Sequence, residues 1–125
     1  MISIASLAYL GDAVFELRVR EMLVARNPNG ISLRELNRQA RQYVSAMAQA
    51  QMYHAIFDAL TEDEQTVIKR GRNLHNTSRA KNADVAAYRH ATGLEALFGW
   101  LHEKSEITRL DQLFALCVEA VAKID

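Results

Sequence analysis

The chain has 125 residues, and its 15 lysines and arginines balance 15 aspartates and glutamates, so the formal net charge is zero. That balance excludes a uniformly basic nucleic-acid binder and shifts attention to how charge is distributed along the chain. A lone cysteine, Cys117, excludes an intramolecular disulfide and a cysteine-built zinc site, and no apolar run approaches the ~20 residues that span a bilayer.

The hydrophobic fraction of 50% is that of a folded core, and the expectation is one domain over residues 1–125. With no basic region ahead of the apolar start, no secretory signal is read. The chain is expected to be soluble and cytoplasmic, without a membrane partner.

A first helix is expected from Ser3 to Arg26. Between Met1 and Phe15 nearly every residue is apolar or small, and Asp12 is the only charge. A helix apolar on almost all sides reads as buried, where a carboxylate is costly unless a cation or a hydrogen-bond donor meets it. Gly11, beside it, gives up roughly 1 kcal/mol of helix propensity relative to Ala, which suggests close approach by a neighbouring helix, an ion or a substrate. The plainer alternative is an Asp at a kink or paired with an Arg.

Asn27-Pro28-Asn29-Gly30 signals a turn. Ser32-Leu33-Arg34-Glu35 has capping-box spacing and opens a second helix to about Tyr43, whose Arg34, Arg38 and Arg41 form a basic stripe that reads first as a solvated face. A third helix, Ala46 to Leu60, offers Met47, Ala50, Met52, Ala55, Ile56 and Leu60 to the core. Thr61-Glu62-Asp63-Glu64 is a second capping box, and its short helix ends at Lys69 and Arg70 with Gly71 as the stop. Residues 72–82 read as a polar loop. From Val67 to Ala83 there are five basic residues and no acidic one, a composition suited to phosphate contacts and equally to plain solvation.

Asp84 is placed as the cap of a helix reaching His102, in which residues 91–101 carry one charge, Glu95. A last amphipathic helix, Arg109 to Lys123, shows an apolar face of Leu110, Leu113, Phe114, Cys117, Val118 and Val121. No stretch alternates as a strand would, and the fold class is all-α.

Two isolated carboxylates in apolar helices repel each other if the helices pack together, and one protonates unless a cation lies between them. Oxygen-only ligation selects a hard ion, and Mg²⁺ takes one or two carboxylates and keeps several waters. Such an ion lowers the pKa of a bound water and stabilises charge on phosphate oxygens. Cys117 lies on an apolar face, and His54, His75, His90 and His102 lack metal-ligand spacing. His90 either points towards the Glu95 end of the site or lies on the surface. Glu16, four residues after Asp12 on the same face, is a third ligand, an outer partner, or an ion pair with Arg20, the simplest of the three. An all-α Mg²⁺ nucleotide pyrophosphohydrolase is the competing enzyme reading, although its paired Glu-x-x-Glu acids are absent.

Tyr9-Leu10-Gly11-Asp12-Ala13-Val14 resembles the signature helix of the ribonuclease III family, usually Glu-aromatic-Leu-Gly-Asp-Ala-Val. Leu94-Glu95-Ala96-Leu97-Phe98-Gly99 resembles its second acidic motif. Lys69-Arg70-Gly71-Arg72-Asn73, followed by Lys81-Asn82-x-Asp84-Val85 and Tyr88-Arg89, is similar to the Mini-III subfamily, and the likeness covers essentially the whole chain. The usual family acids fall here on Ala5, Ala8 and Thr92. Mini-III proteins share those losses, which implies a sparser metal site resting on Asp12 and Glu95.

The resemblance implies the ribonuclease III endonuclease-domain helical fold and a homodimer with Tyr9 at its interface. It implies a Mg²⁺-dependent endoribonuclease, with Mn²⁺ substituting, that cuts double-stranded RNA to 5′-phosphate and 3′-hydroxyl ends. Asp12 and Glu95 are then the catalytic and metal-binding residues, and Lys69, Arg70, Arg72, Asn73, Arg79, Lys81 and Asn82 contact RNA. The implied substrate is the duplex stalk of precursor large-subunit (23S) ribosomal RNA, with a ribosomal protein as an accessory factor. A noncatalytic RNA- or ribosome-binding module with the same fold is the remaining alternative.

Overall fold

The computed structural model describes residues 2–74 and 83–122. They form six α-helices: α1 (Ile4–Arg26), α2 (Leu33–Val44), α3 (Ala46–Ile56), α4 (Glu62–Arg72), α5 (Ala83–Glu103) and α6 (Ile107–Ala122), with a single 3₁₀ turn (Phe57–Ala59) after α3. No strand occurs among the described residues, in keeping with the all-α expectation.

The starts of α1 to α4 follow from side-chain caps. Ser3, Ser32, Ser45 and Thr61 each accept a hydrogen bond from the backbone N–H three residues on. The box at Thr61 is complete, since the Glu64 carboxylate also accepts from the Thr61 N–H at 2.9 Å. The box at Ser32 is only half formed, because Glu35 turns to Arg38 instead of reaching back.

Helix α5 is the axis of the molecule. α1, α3 and α4 all pack on it, α6 covers α3, and α2 rests on α1. Phe15 of α1 meets Phe98 of α5 and Phe114 of α6 edge-on, with ring centroids 5.4 and 5.7 Å apart, the arrangement aromatic quadrupoles favour. Leu94, Leu97, Leu101, Leu110, Leu113 and Cys117 complete this main core. A smaller cluster of Ile4, Leu7, Ala8, Val67 and Ala96 joins α1, α4 and α5. Burial pushes the Cys117 thiol well above its ordinary range, so it packs as a small hydrophobe.

Several expectations are corrected. Gly71 does not stop α4: it lies inside the helix, buried against Gly93 and Ala96, and Asn73 caps the end. Asp84 is in the first turn of α5, which begins at Ala83. Met47 and Ala55 are exposed, while Ala48, Gln49 and Tyr53 are buried, because α3 presents the 49/52/53/56 stripe to α5. Nor is α1 buried all round. Its inner face meets α5, but Tyr9 is 87% exposed and Leu17 and Val24 are more than half exposed. No helix among the described residues is long and apolar enough to cross a membrane.

Candidate active site

The two isolated carboxylates come together because α1 and α5 cross with their backbones in contact. A Cβ on Gly11 would overlap the carbonyl oxygen of Glu95 and come within 2.8 Å of the Gly99 nitrogen. A Cβ on Gly99 would overlap the carbonyl oxygen of Leu7. Of the returns Gly11 could bring, the structure realises close approach by a helix. Asp12, the next residue, is carried to the side chain of Glu95.

Glu95 is half-buried and Asp12 is exposed. Burial first, and the Asp12 charge second, push the Glu95 carboxyl up from an ordinary value of 4.5 to about 8. In its protonated form Glu95 donates to the Asp12 carboxylate, while Gln49 of α3 donates to Glu95 and partly offsets the shift. The Gln49 side chain is the counterpart of that acid on the facing helix, and the residue is only 3% exposed. Beside Glu95, between α3 and α5, opens a groove of about 340 Å³ whose lining includes Gln49, Tyr88, Thr92 and Glu95 but not Asp12.

Gln49 was missed in the sequence. Its signal was available, since a polar residue in phase with Met52, Tyr53 and Ile56 must be buried facing another helix.

The donor set suits a hard cation. A half-buried carboxyl raised first by that burial and then by a second carboxylate beside it is what a divalent ion would relieve, and the oxygen donors of the pair favour Mg²⁺-like ions over zinc or copper. Among the described residues no group of three or more His, Cys, Asp and Glu gathers as a metal cluster, so such an ion would keep several water ligands. Ala8 is buried in the smaller apolar cluster. The Thr92 hydroxyl donates to the Tyr88 carbonyl at 2.9 Å, which occupies its one proton within its own helix. Glu16 pairs with Arg20 at 2.6 Å, the simplest of the three readings of that residue.

The basic candidates lie beyond this groove. The Lys69 ammonium sits 5.8 Å from the centre of the Phe57 ring, and Arg70 is exposed at the end of α4. Arg72 donates to Asn73 Oδ1 at 3.1 Å and to the Tyr53 hydroxyl at 3.2 Å. Arg79, Lys81 and Asn82 lie outside the described residues. On α2, Arg34 and Arg41 are exposed, whereas Arg38 is paired with Glu35. His90 does not share the Glu95 groove. It is half-buried against Tyr53 and His54, with ring centroids 4.6 and 4.5 Å away.

A sequence profile of the ribonuclease III domain matches residues 5–106. Mini-ribonuclease 3 of Enterococcus faecalis is 42% identical over 120 residues, covering 94% of this chain and 89% of the relative. Mini-ribonuclease 3 of Streptococcus pneumoniae is 40% identical over 121 residues, covering 93% and 91%. A crystal structure of a Fusobacterium nucleatum protein superposes with a TM-score of 0.81 at 27% identity, over 94% of this chain and 92% of that one. Glycine-backed helices that join an acid pair, over a chain so matched, place it among the endoribonucleases: it belongs to the ribonuclease III family, with the Mini-ribonuclease 3 proteins as its relatives.

Proposed function

We propose that the chain is a divalent-metal-dependent endoribonuclease for double-stranded RNA, that Asp12 and Glu95 hold Mg²⁺ with Mn²⁺ able to substitute, and that it acts as a homodimer in the cytoplasm. The observation that carries this reading is the meeting of the Asp12 and Glu95 carboxyls beside a groove that Glu95 lines. When bound, the ion supplies a water of lowered pKa and charge stabilisation on the phosphate oxygens.

The chain's own residues do the rest. Asp12, on the exposed side, faces the incoming strand. Glu95, on the buried side, is oriented by the Gln49 amide, which favours its charged form. Lys69, Arg70, Arg72 and Asn73, together with Arg79, Lys81 and Asn82, hold backbone phosphates, the contacts through which duplex RNA is chiefly bound. The exposed apolar face of α1, with Tyr9, Leu17 and Val24, suits a twofold contact with a second copy, so that each protomer's acid pair cuts one strand. Hydrolysis leaves 5′-phosphate and 3′-hydroxyl ends. The substrate in this reading is the stalk of precursor 23S ribosomal RNA, with a ribosomal protein assisting.

Asp12→Asn tests it. Cleavage of a structured RNA duplex in Mg²⁺ should fall on the order of 10²-fold or more, the scale of losing one transition-state-stabilising group. Sedimentation and duplex binding in chelator should be unchanged. Substantial residual cleavage would remove Asp12 from the metal site.

A further inference from the structure

Between the end of α4 and the second turn of α5 lies a notch of about 350 Å³, lined by Arg72, Asn73, Val85, Ala86, Arg89 and His90. It shares no lining residue with the groove that holds Glu95. Its ionisable lining is wholly basic. Arg72 is braced on two sides, by Asn73 Oδ1 and by the Tyr53 hydroxyl. Two of the five donors of its planar fork are so used, which leaves three for a ligand. A guanidinium fixed this way loses little further freedom on binding an anion.

His90 adds a second feature. Its Nδ1 lies 2.7 Å from the Ala86 carbonyl oxygen, one turn back along α5. A carbonyl can only accept, so Nδ1 carries the proton, and Nε2 is the atom whose protonation adds both a donor and a charge. The groups facing this imidazole are Tyr53 and His54 from α3, Arg72 from α4 and Arg89 from α5, with Lys69 on the far side of Tyr53 above Phe57. Burial, and then His90 itself, hold the His54 imidazole below its ordinary range. A tetrahedral oxyanion offers acceptors to a guanidinium fork and an imidazolium at once.

We infer that this notch binds one phosphodiester of the RNA backbone between Arg72, Arg89 and the protonated ring of His90, and that duplex affinity therefore strengthens as pH falls. The inference rests on the double-stranded RNA reading for the identity of its ligand and on the notch alone for its chemistry. Its consequence for the reaction is a grip on the strand away from the acid pair, to which an imidazole contributes beside two guanidinium groups.

The test is calorimetry on the full chain in chelator, at pH 6 and pH 8, in buffers of differing ionisation heat. The probes are a short RNA duplex and sulfate, whose charges do not change over that range. The duplex should bind about three- to tenfold more tightly at pH 6, with net proton uptake. In His90→Phe, which keeps an aromatic ring against Tyr53, that pH slope and that uptake should vanish while the thermal midpoint holds. Arg89→Gln, at an exposed position, should weaken both probes at both pH values. An unchanged slope and uptake in His90→Phe would overturn the inference while leaving duplex binding itself intact. Sulfate bound with His90-dependent uptake by a chain that ignores duplex RNA would support the notch and sink the RNA reading. Binding of neither probe would overturn both.

Discussion

Helix α5 is crossed twice at glycines, and the two crossings deliver opposite charges. On one side Gly11 of α1 lies against Glu95 and Gly99 so closely that the backbones touch. On the other, Gly71 of α4 faces Gly93 and Ala96, where a Cβ would come within 2.9 Å of the Gly93 Cα and 2.8 Å of the Ala96 Cβ. In each case the residue after the glycine carries the charge, Asp12 at the first crossing and Arg72 at the second. Backbone contact fixes a Cα more tightly than side-chain packing can, since no rotamer intervenes. The tighter crossing positions the acid pair, and the looser one positions a base beside Tyr53.

The largest way to break this pairing is Gly11→Ala. The added methyl would overlap a carbonyl held in the middle of α5, an atom that cannot rotate away, so α1 must lift from the helix that carries the core. A loss of about 4 kcal/mol or more is expected, in the range reserved for severe core strain, together with all duplex cleavage. Urea unfolding followed by circular dichroism measures it. A stable, active Gly11→Ala would mean that α1 and α5 do not meet backbone to backbone.

How much of this was readable from the chain differs between the crossings. The acid crossing was legible because its elements are chemically conspicuous: a single charge in an apolar helix with a glycine beside it, found once near Asp12 and again near Glu95. The helices themselves were legible from Ser and Thr caps and from apolar spacing. Gly71 was misread because a glycine after Lys69-Arg70 satisfies every local rule for a C-cap, and only the position of α5 reveals that it is a packing surface. Gln49, Tyr53 and the bidentate pair of Arg109 with Glu64 share that problem, since each polar group is explained by a partner on another helix, 19 residues away for Tyr53 and 45 for Glu64. The apolar outer face of α1 was read as buried because composition cannot say which neighbour covers a helix.

A second and smaller effect comes from Glu95 itself. Its carboxyl is pushed up to about 8 in the folded chain, against about 4.3 when unfolded. The folded state therefore binds its proton more tightly, and the stabilisation is fully present below about pH 4 and is lost as pH rises through about 8. In chelator, unfolding free energy should fall by about 3 kcal/mol between pH 5 and pH 8, at up to roughly 1.4 kcal/mol per pH unit. Glu95→Gln should flatten that slope, and Mg²⁺ should restore stability to the parent protein at pH 8. A slope unchanged by Glu95→Gln would mean that the acid pair is not electrostatically joined.

The smallest expected effect sharpens the comparison most, because it separates packing from chemistry. Gly71→Ala also meets atoms of a neighbouring backbone, but the overlap is shallower and α4 is an 11-residue helix that can tilt outward without parting α1 from α5. A cost of about 2 kcal/mol is expected, the usual scale for one methyl forced into a filled contact. Asp12 and Glu95 are brought together by the α1–α5 crossing, so kcat for duplex cleavage should stay within about twofold, whereas KM should rise as Arg72 moves off Tyr53. A variant that lost kcat in step with stability would show that both crossings serve the acid pair and that α5 transmits strain from one to the other.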